Sequence, residues 1–154
     1  MNNKISELYN QDYHAWLNAT INSIKQRDLS NCDFEHIVEE LESMSNKDIR
    51  ELYSRFVVLI GHLLKCQYQH EKISSGWLGS IREQRRKIEL LLLNSPSLRP
   101  KLEDIIISDY VVREAMHIFT NETGLKPVEI KYTLEQLLDN DFIPNKRYGQ
   151  EESE

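Results

Sequence analysis

The sequence predicts an all-α fold: one helical bundle of about five to six helices gathered around a central helix near residues 48–69. Three observations predict it. Five Gly and four Pro in 154 residues leave too few turn formers for an all-β chain. Apolar residues recur at three- and four-residue spacing along most of the length. The most apolar run, FVVLIGHLL at Phe56–Leu64, sits inside a longer helical pattern from about Asp48 to Gln69. Its apolar residues cover an arc of roughly 200°, wider than a surface helix needs, so this helix should be covered on several sides. Gly61 in its middle costs about 1 kcal/mol of helix propensity against Ala, which predicts close approach of a neighbouring helix at that point.

Taken in order, Tyr13, Trp16, Leu17, Ile21 and Ile24 follow helical spacing, and Asn10 or Asp12 can cap the first turn, so a first helix is expected from about Asp12 to Gln26. Turn formers between Arg27 and Cys32 end it. Asp33 then precedes FEHIVEELESM, a short amphipathic second helix with Phe34, Ile37, Val38, Leu41 and Met44 on one inward face and acidic first turns that suit the helix dipole. Ser45 and Asp48 can cap a fresh start for the central helix; one bent helix from Asp33 to Gln69 is the alternative. After a turn at Ser74–Gly76, Trp77, Ile81, Ile88, Leu91 and Leu92 trace a fourth helix whose stripe contains Gln84, an amide that needs partners if buried.

Ser95 and Pro96, or Pro100, open a fifth helix carrying Leu98, Leu102, Ile105, Val112 and Phe119 as far as Gly124, a C-terminal stop. Residues 126–131 read as a loop. Thr133 and Gln136 form a capping box for a short sixth helix from Leu134, after which Phe142, Ile143 and Pro144 dock. A single domain over residues 8–145 is therefore expected, with an acidic, disordered tail over 146–154.

Composition narrows the function classes. With 40% apolar and 29% charged residues the chain is an ordinary globular one. No apolar run approaches the ~20 residues of a membrane span, and the first residues, MNNKISELYNQD, lack a signal-peptide core, which predicts a cytoplasmic protein with no membrane partner. Cys32 and Cys66 show neither CxxC nor CxxCH spacing, so no disulfide framework or zinc finger is expected. A formal net charge of −6 argues against broad nucleic-acid binding.

The segment HLLKCQYQHEKISSGWLGSIREQRRKIELLLLNSPSLRPKL, together with YNQDYHAWL, IVEELESM and YTLEQLLDNDFIPN, resembles the bacterial family catalogued as domain of unknown function 29, over roughly residues 8–145. The family pattern usually has an aromatic residue where Cys66 stands and often Pro where His70 stands. The resemblance implies an all-helical protein and brings no established reaction.

Three constellations carry residue types suited to chemistry. His62, Cys66 and His70 stand at i, i+4, i+8, a spacing that can bring nitrogen and sulfur to a metal. Glu39, Glu40 and Glu42, with His62, are the candidate ligands if the second and central helices face each other, although the repeated Glu-x-x-His of helical di-iron proteins is missing. Arg82, Arg85 and Arg86 cluster on the fourth helix and can take phosphate; salt bridging to Glu39, Glu40, Glu42 or Glu83 is the competing expectation. No nucleophile motif, P-loop or HExxH is present.

The expectation is a helical module that binds another protein or itself, without catalysis and with no cofactor. The alternatives are a metal-dependent, hydrolase-like enzyme and, third, nucleic-acid binding through the arginines.

Overall fold

A computed structural model describes residues 3–144; the expected tail over 146–154 lies outside the described residues. Among the described residues every regular element is helical. In chain order the α-helices are α1 (Asn3–Gln11), α2 (Tyr13–Lys25), α3 (Phe34–Tyr68), α4 (Ser75–Asn94), α5 (Leu102–Ile107), α6 (Asp109–Thr123) and α7 (Leu134–Leu138). Short 3-10 helices lie at Leu29–Asn31, His70–Lys72 and Pro96–Lys101. No helix among the described residues is long and apolar enough to cross a membrane. The chain forms two compact units that divide inside α3, one running to Lys47 and the other starting at Asp48.

Several boundaries differ from expectation, each for a local reason. A helix the sequence reading missed, α1, precedes α2, and Asp12 separates them by accepting a hydrogen bond from Ala15 N at 3.0 Å. Of the two readings open near Ser45, the single helix holds and the break does not: α3 is one helix of 35 residues. Ser45 and Asn46 each cost only a fraction of a kcal/mol inside a helix, less than ending one helix and nucleating another. The expected fifth helix is instead the 3-10 turn at Pro96–Lys101, α5 and α6. Ser108 divides the last two, donating to Ile105 O at 2.7 Å and capping Val111 N, a role hidden by apolar periodicity that continues across it. Gly124 ends α6 in the left-handed conformation, φ 73°, and the Thr133–Gln136 capping box opens α7, both as the residues predict.

In the unit from Asp48 onward, α3 supplies the centre of the core. Leu52, Phe56, Leu59, Ile60, Leu63 and Leu64 are at most 1% exposed, and Ile81 and Ile88 of α4, Val111, Ala115 and Phe119 of α6 and Leu137 of α7 join the same cluster. Gly61 marks the close approach that its position predicts. A Cβ there would lie 2.9 Å from Ile118 Cγ2 and 3.4 Å from the Ala115 carbonyl oxygen.

Arg85 of α4 is 3% exposed. Its Nε donates to Leu137 O at 2.8 Å and its Nη2 to Gln136 O at 3.2 Å, so one guanidinium satisfies two carbonyls at the C-terminal end of α7 that no helical N–H reaches. Burial pulls its pKa down, while Asp139 and Asp141 push it up. The buried Gln84 accepts from Arg55 Nη1 at 3.3 Å, which meets the need for a partner.

Two stability outcomes follow. Gly61→Ala gains about 1 kcal/mol in propensity but overpacks a branched side chain at a cost of about 1–3 kcal/mol, so thermal melting by circular dichroism should show a lower Tm. The loss should shrink in an Ile118→Ala background, where the clashing methyl is gone. Arg85→Gln strands buried carbonyls and should cost on the order of 2–4 kcal/mol, whereas Arg82→Gln and Arg86→Gln, at exposed positions, should each stay within about 0.5 kcal/mol.

Candidate functional site

The unit ending at Lys47 is built on a different balance. Its buried residues among those described are Trp16, Thr20 and Cys32. Polar bonds and ring contacts do the joining instead. Trp16 Nε1 donates to Asp33 Oδ2 at 3.1 Å, and the same carboxylate meets His36 Nδ1 at 2.5 Å. Tyr9 stacks on the His36 ring at 3.9 Å and 13°, and packs edge-on against Trp16. Both Tyr9 and Tyr13 donate their hydroxyls to Glu40, at 2.6 and 2.8 Å, one to each carboxylate oxygen. Helices α1 and α2 are thereby fixed to the start of α3 through two carboxylates.

Electrostatics in this network follow from those bonds. Glu40 lies below its ordinary value because Tyr9, and then Tyr13, donate to its charged form. Tyr9 is pushed up to about 12, first by the bond to Glu40, then by burial and the charge of Glu39. Tyr13 is raised by its bond to Glu40. For Asp33, burial works upward, but the bonds from His36 and Trp16 prevail and hold it low.

Beside this seam lies a ridge of exposed apolar side chains. On α3, Phe34, Val38, Leu41 and Met44 are 53%, 50%, 58% and 66% exposed. The sequence predicts these residues as an inward face; in the structure that face is open. On α2, Tyr13, Ile21 and Ile24 are between 45% and 48% exposed, and Leu29 follows at 57%. Both stripes have helical spacing, and the Tyr13–Glu40 and Trp16–Asp33 bonds hold their helices together. Exposed acids border the α3 stripe: Glu35, Glu39 and Glu42. The first 47 residues hold eight Asp or Glu against four Lys or Arg, the remaining 107 seventeen against fifteen, so most of the net charge of −6 belongs here.

The residues expected at a metal or phosphate site are dispersed. Glu40 is occupied by two tyrosines, while Glu39 and Glu42 are exposed. His62 Nδ1 bonds Val58 O at 2.9 Å, inside its own helix. The stretches expected as the second and central helices are consecutive parts of α3. Among the described residues no group of three or more His, Cys, Asp or Glu side chains is arranged to hold a metal ion. Cys66 is fully buried, and burial pushes its thiol up to about 11.

Arg82 and Arg86 are exposed; Arg85 holds backbone carbonyls rather than the carboxylate partners expected of it, and Glu83 pairs with Lys87 at 3.3 Å. A wide cleft in the second unit, about 680 Å³, is lined by Gln67, Tyr132, Glu129, Lys131 and Phe142 among others. Tyr132 donates to Gln67 there at 2.6 Å, and no nucleophile stands beside a base.

The seam carries a pH signature. Asp33 and Glu40 are depressed, so their contribution is complete above the ordinary values of 3.8 and 4.5 and is lost as pH falls through their lowered ones. Trp16 fluorescence, read in a Trp77→Phe background, should change cooperatively on acidification below that range. Glu40→Gln should weaken the pH dependence by removing one of the two titrating groups.

No curated protein and no solved structure matches the chain. One family does, described as Domain of unknown function DUF29, over residues 8–143. That span takes in the aromatic–carboxylate seam, both apolar stripes and the core of the second unit, and the chain belongs to this family.

Proposed function

We propose that the protein is a helical interaction module that grips another polypeptide through the apolar ridge of its first unit. The ridge itself carries this reading. A unit of 47 residues is too small to be held by a large core, and this one buries three of its described residues while leaving seven large apolar side chains about half exposed or more on α2, the turn after it and α3, with Tyr13 also bound into the seam. Apolar surface gathered on neighbouring helices, rather than scattered singly, is the mark of a surface that is covered in use. Covering a half-exposed side chain of this size is worth on the order of 1 kcal/mol, so eight together can offset much of the roughly 4–15 kcal/mol that association costs.

Substitution separates this reading from a hidden core. Leu41→Asp with Met44→Asp should leave helicity and Tm nearly unchanged, because both side chains are exposed; a core role would cost about 2–5 kcal/mol at each site. The same pair should abolish association seen by light scattering or by cross-linking in native lysate. A wild-type chain that is monomeric at all concentrations, with a cross-linking pattern identical to that of the variant, overturns the proposal.

A further inference from the structure

Resting on that interaction reading, the geometry points to one kind of occupant for the ridge: an amphipathic helix with Lys or Arg along its flanks, carried by a different protein and not by a second copy of this chain.

The shape of the ridge fits a helix. Phe34, Val38, Leu41 and Met44 advance by four, three and three residues, a single line over almost three turns of α3, about 15 Å long. Tyr13, Leu17, Ile21 and Ile24 draw a second line of similar length on α2. The α3 line alone is what a partner helix needs in order to bury its own stripe at i, i+3, i+4 and i+7, and the bonds of Tyr13 to Glu40 and Trp16 to Asp33 tie the first turn of α2 to the start of the same helix. An added strand finds nothing to pair with, because helical backbone has no free edge.

Charge selects among helices. The α3 line is flanked by Glu35 and Glu42, with Glu39 further round, all exposed, and the basic residues of the described part of this unit at which a side chain is placed are Lys25, Arg27 and Lys47. When two copies pair their α3 stripes antiparallel about a two-fold axis, the flank carrying Glu35 and Glu42 meets the same flank of the other copy. Like charges brought together in this way oppose association. A helix with cationic flanks meets Glu35 and Glu42 with opposite charge, and long Lys or Arg stems extend the apolar cover over Phe34 and Leu41 before their heads reach the carboxylates.

The test uses the full chain and two fluorescein-labelled peptides of equal length with the same Leu stripe, one flanked by Lys and its twin by Glu, followed by fluorescence anisotropy. The Lys peptide should bind about tenfold or more tightly than the Glu twin, and the gap should narrow as salt is raised. Phe34→Ser with Leu41→Ser should abolish binding of the Lys peptide. Glu35→Gln with Glu42→Gln should keep binding but lose the preference between peptides. Equal binding of both peptides, or Lys-peptide binding that survives Phe34→Ser with Leu41→Ser, overturns the assignment. Light scattering that finds a dimer converted to monomer by the same serine pair also overturns it, giving the ridge to a second copy while the interaction reading stands. A monomer that binds neither peptide removes both.

Discussion

The width of the apolar arc on α3 is the constraint on which the rest depends. From Leu52 to Cys66 that arc is too wide for one neighbour to cover, so the chain after α3 must return to it repeatedly, through α4, then α6, then α7. Each return has a condition. For α6 it is the missing side chain at Gly61, which lets Ile118 come within contact of the α3 backbone. For α7, a helix of five residues that cannot be stable alone, it is Arg85, which supplies the donors its last carbonyls lack. Lys65 meets a similar demand: it is buried, reaches Glu122 at 2.5 Å, and lies 4.4 Å over the Trp77 ring, so its charge is answered on two sides.

The same helix lives under a second rule before Lys47. There the apolar arc narrows to a stripe, and the elements bonded to α3 in that unit, α1 and α2, are held mainly by carboxylates accepting from aromatic donors. Such bonds fix geometry without needing a large core. This is how Asp33 and Glu40 are used, and it leaves the stripe free. Carboxylates that look from the sequence like a ligand cluster are thus partly spent as acceptors, and the tyrosines that spend them lie more than twenty residues earlier in the chain.

What could be read from the sequence divides along the same line. The central helix, the need at Gly61, the stop at Gly124 and the capping box at Thr133 are legible because each is set by residues close in sequence or by one long periodic pattern. The break at Ser108 was masked because the apolar period runs through it. Arg85 was legible in principle: it stands four residues after Ile81 and three before Ile88, on the inward stripe of α4, but its neighbours Arg82 and Arg86 are exposed and invite reading all three as one surface patch. The exposed ridge was not legible at all. Periodicity records that one face of a helix avoids charge; it does not record whether the same chain covers that face.

That last distinction bears on how the site is to be understood. A stripe that the chain buries itself is under pressure only to be apolar and well packed, whereas a stripe left open must also keep the molecule soluble and exclude wrong contacts. Glu35, Glu39 and Glu42 stand exposed along the border of the ridge and keep that border hydrated. The charge of the chain is accordingly uneven: nearly balanced where α3 is enclosed, strongly acidic where its stripe is open.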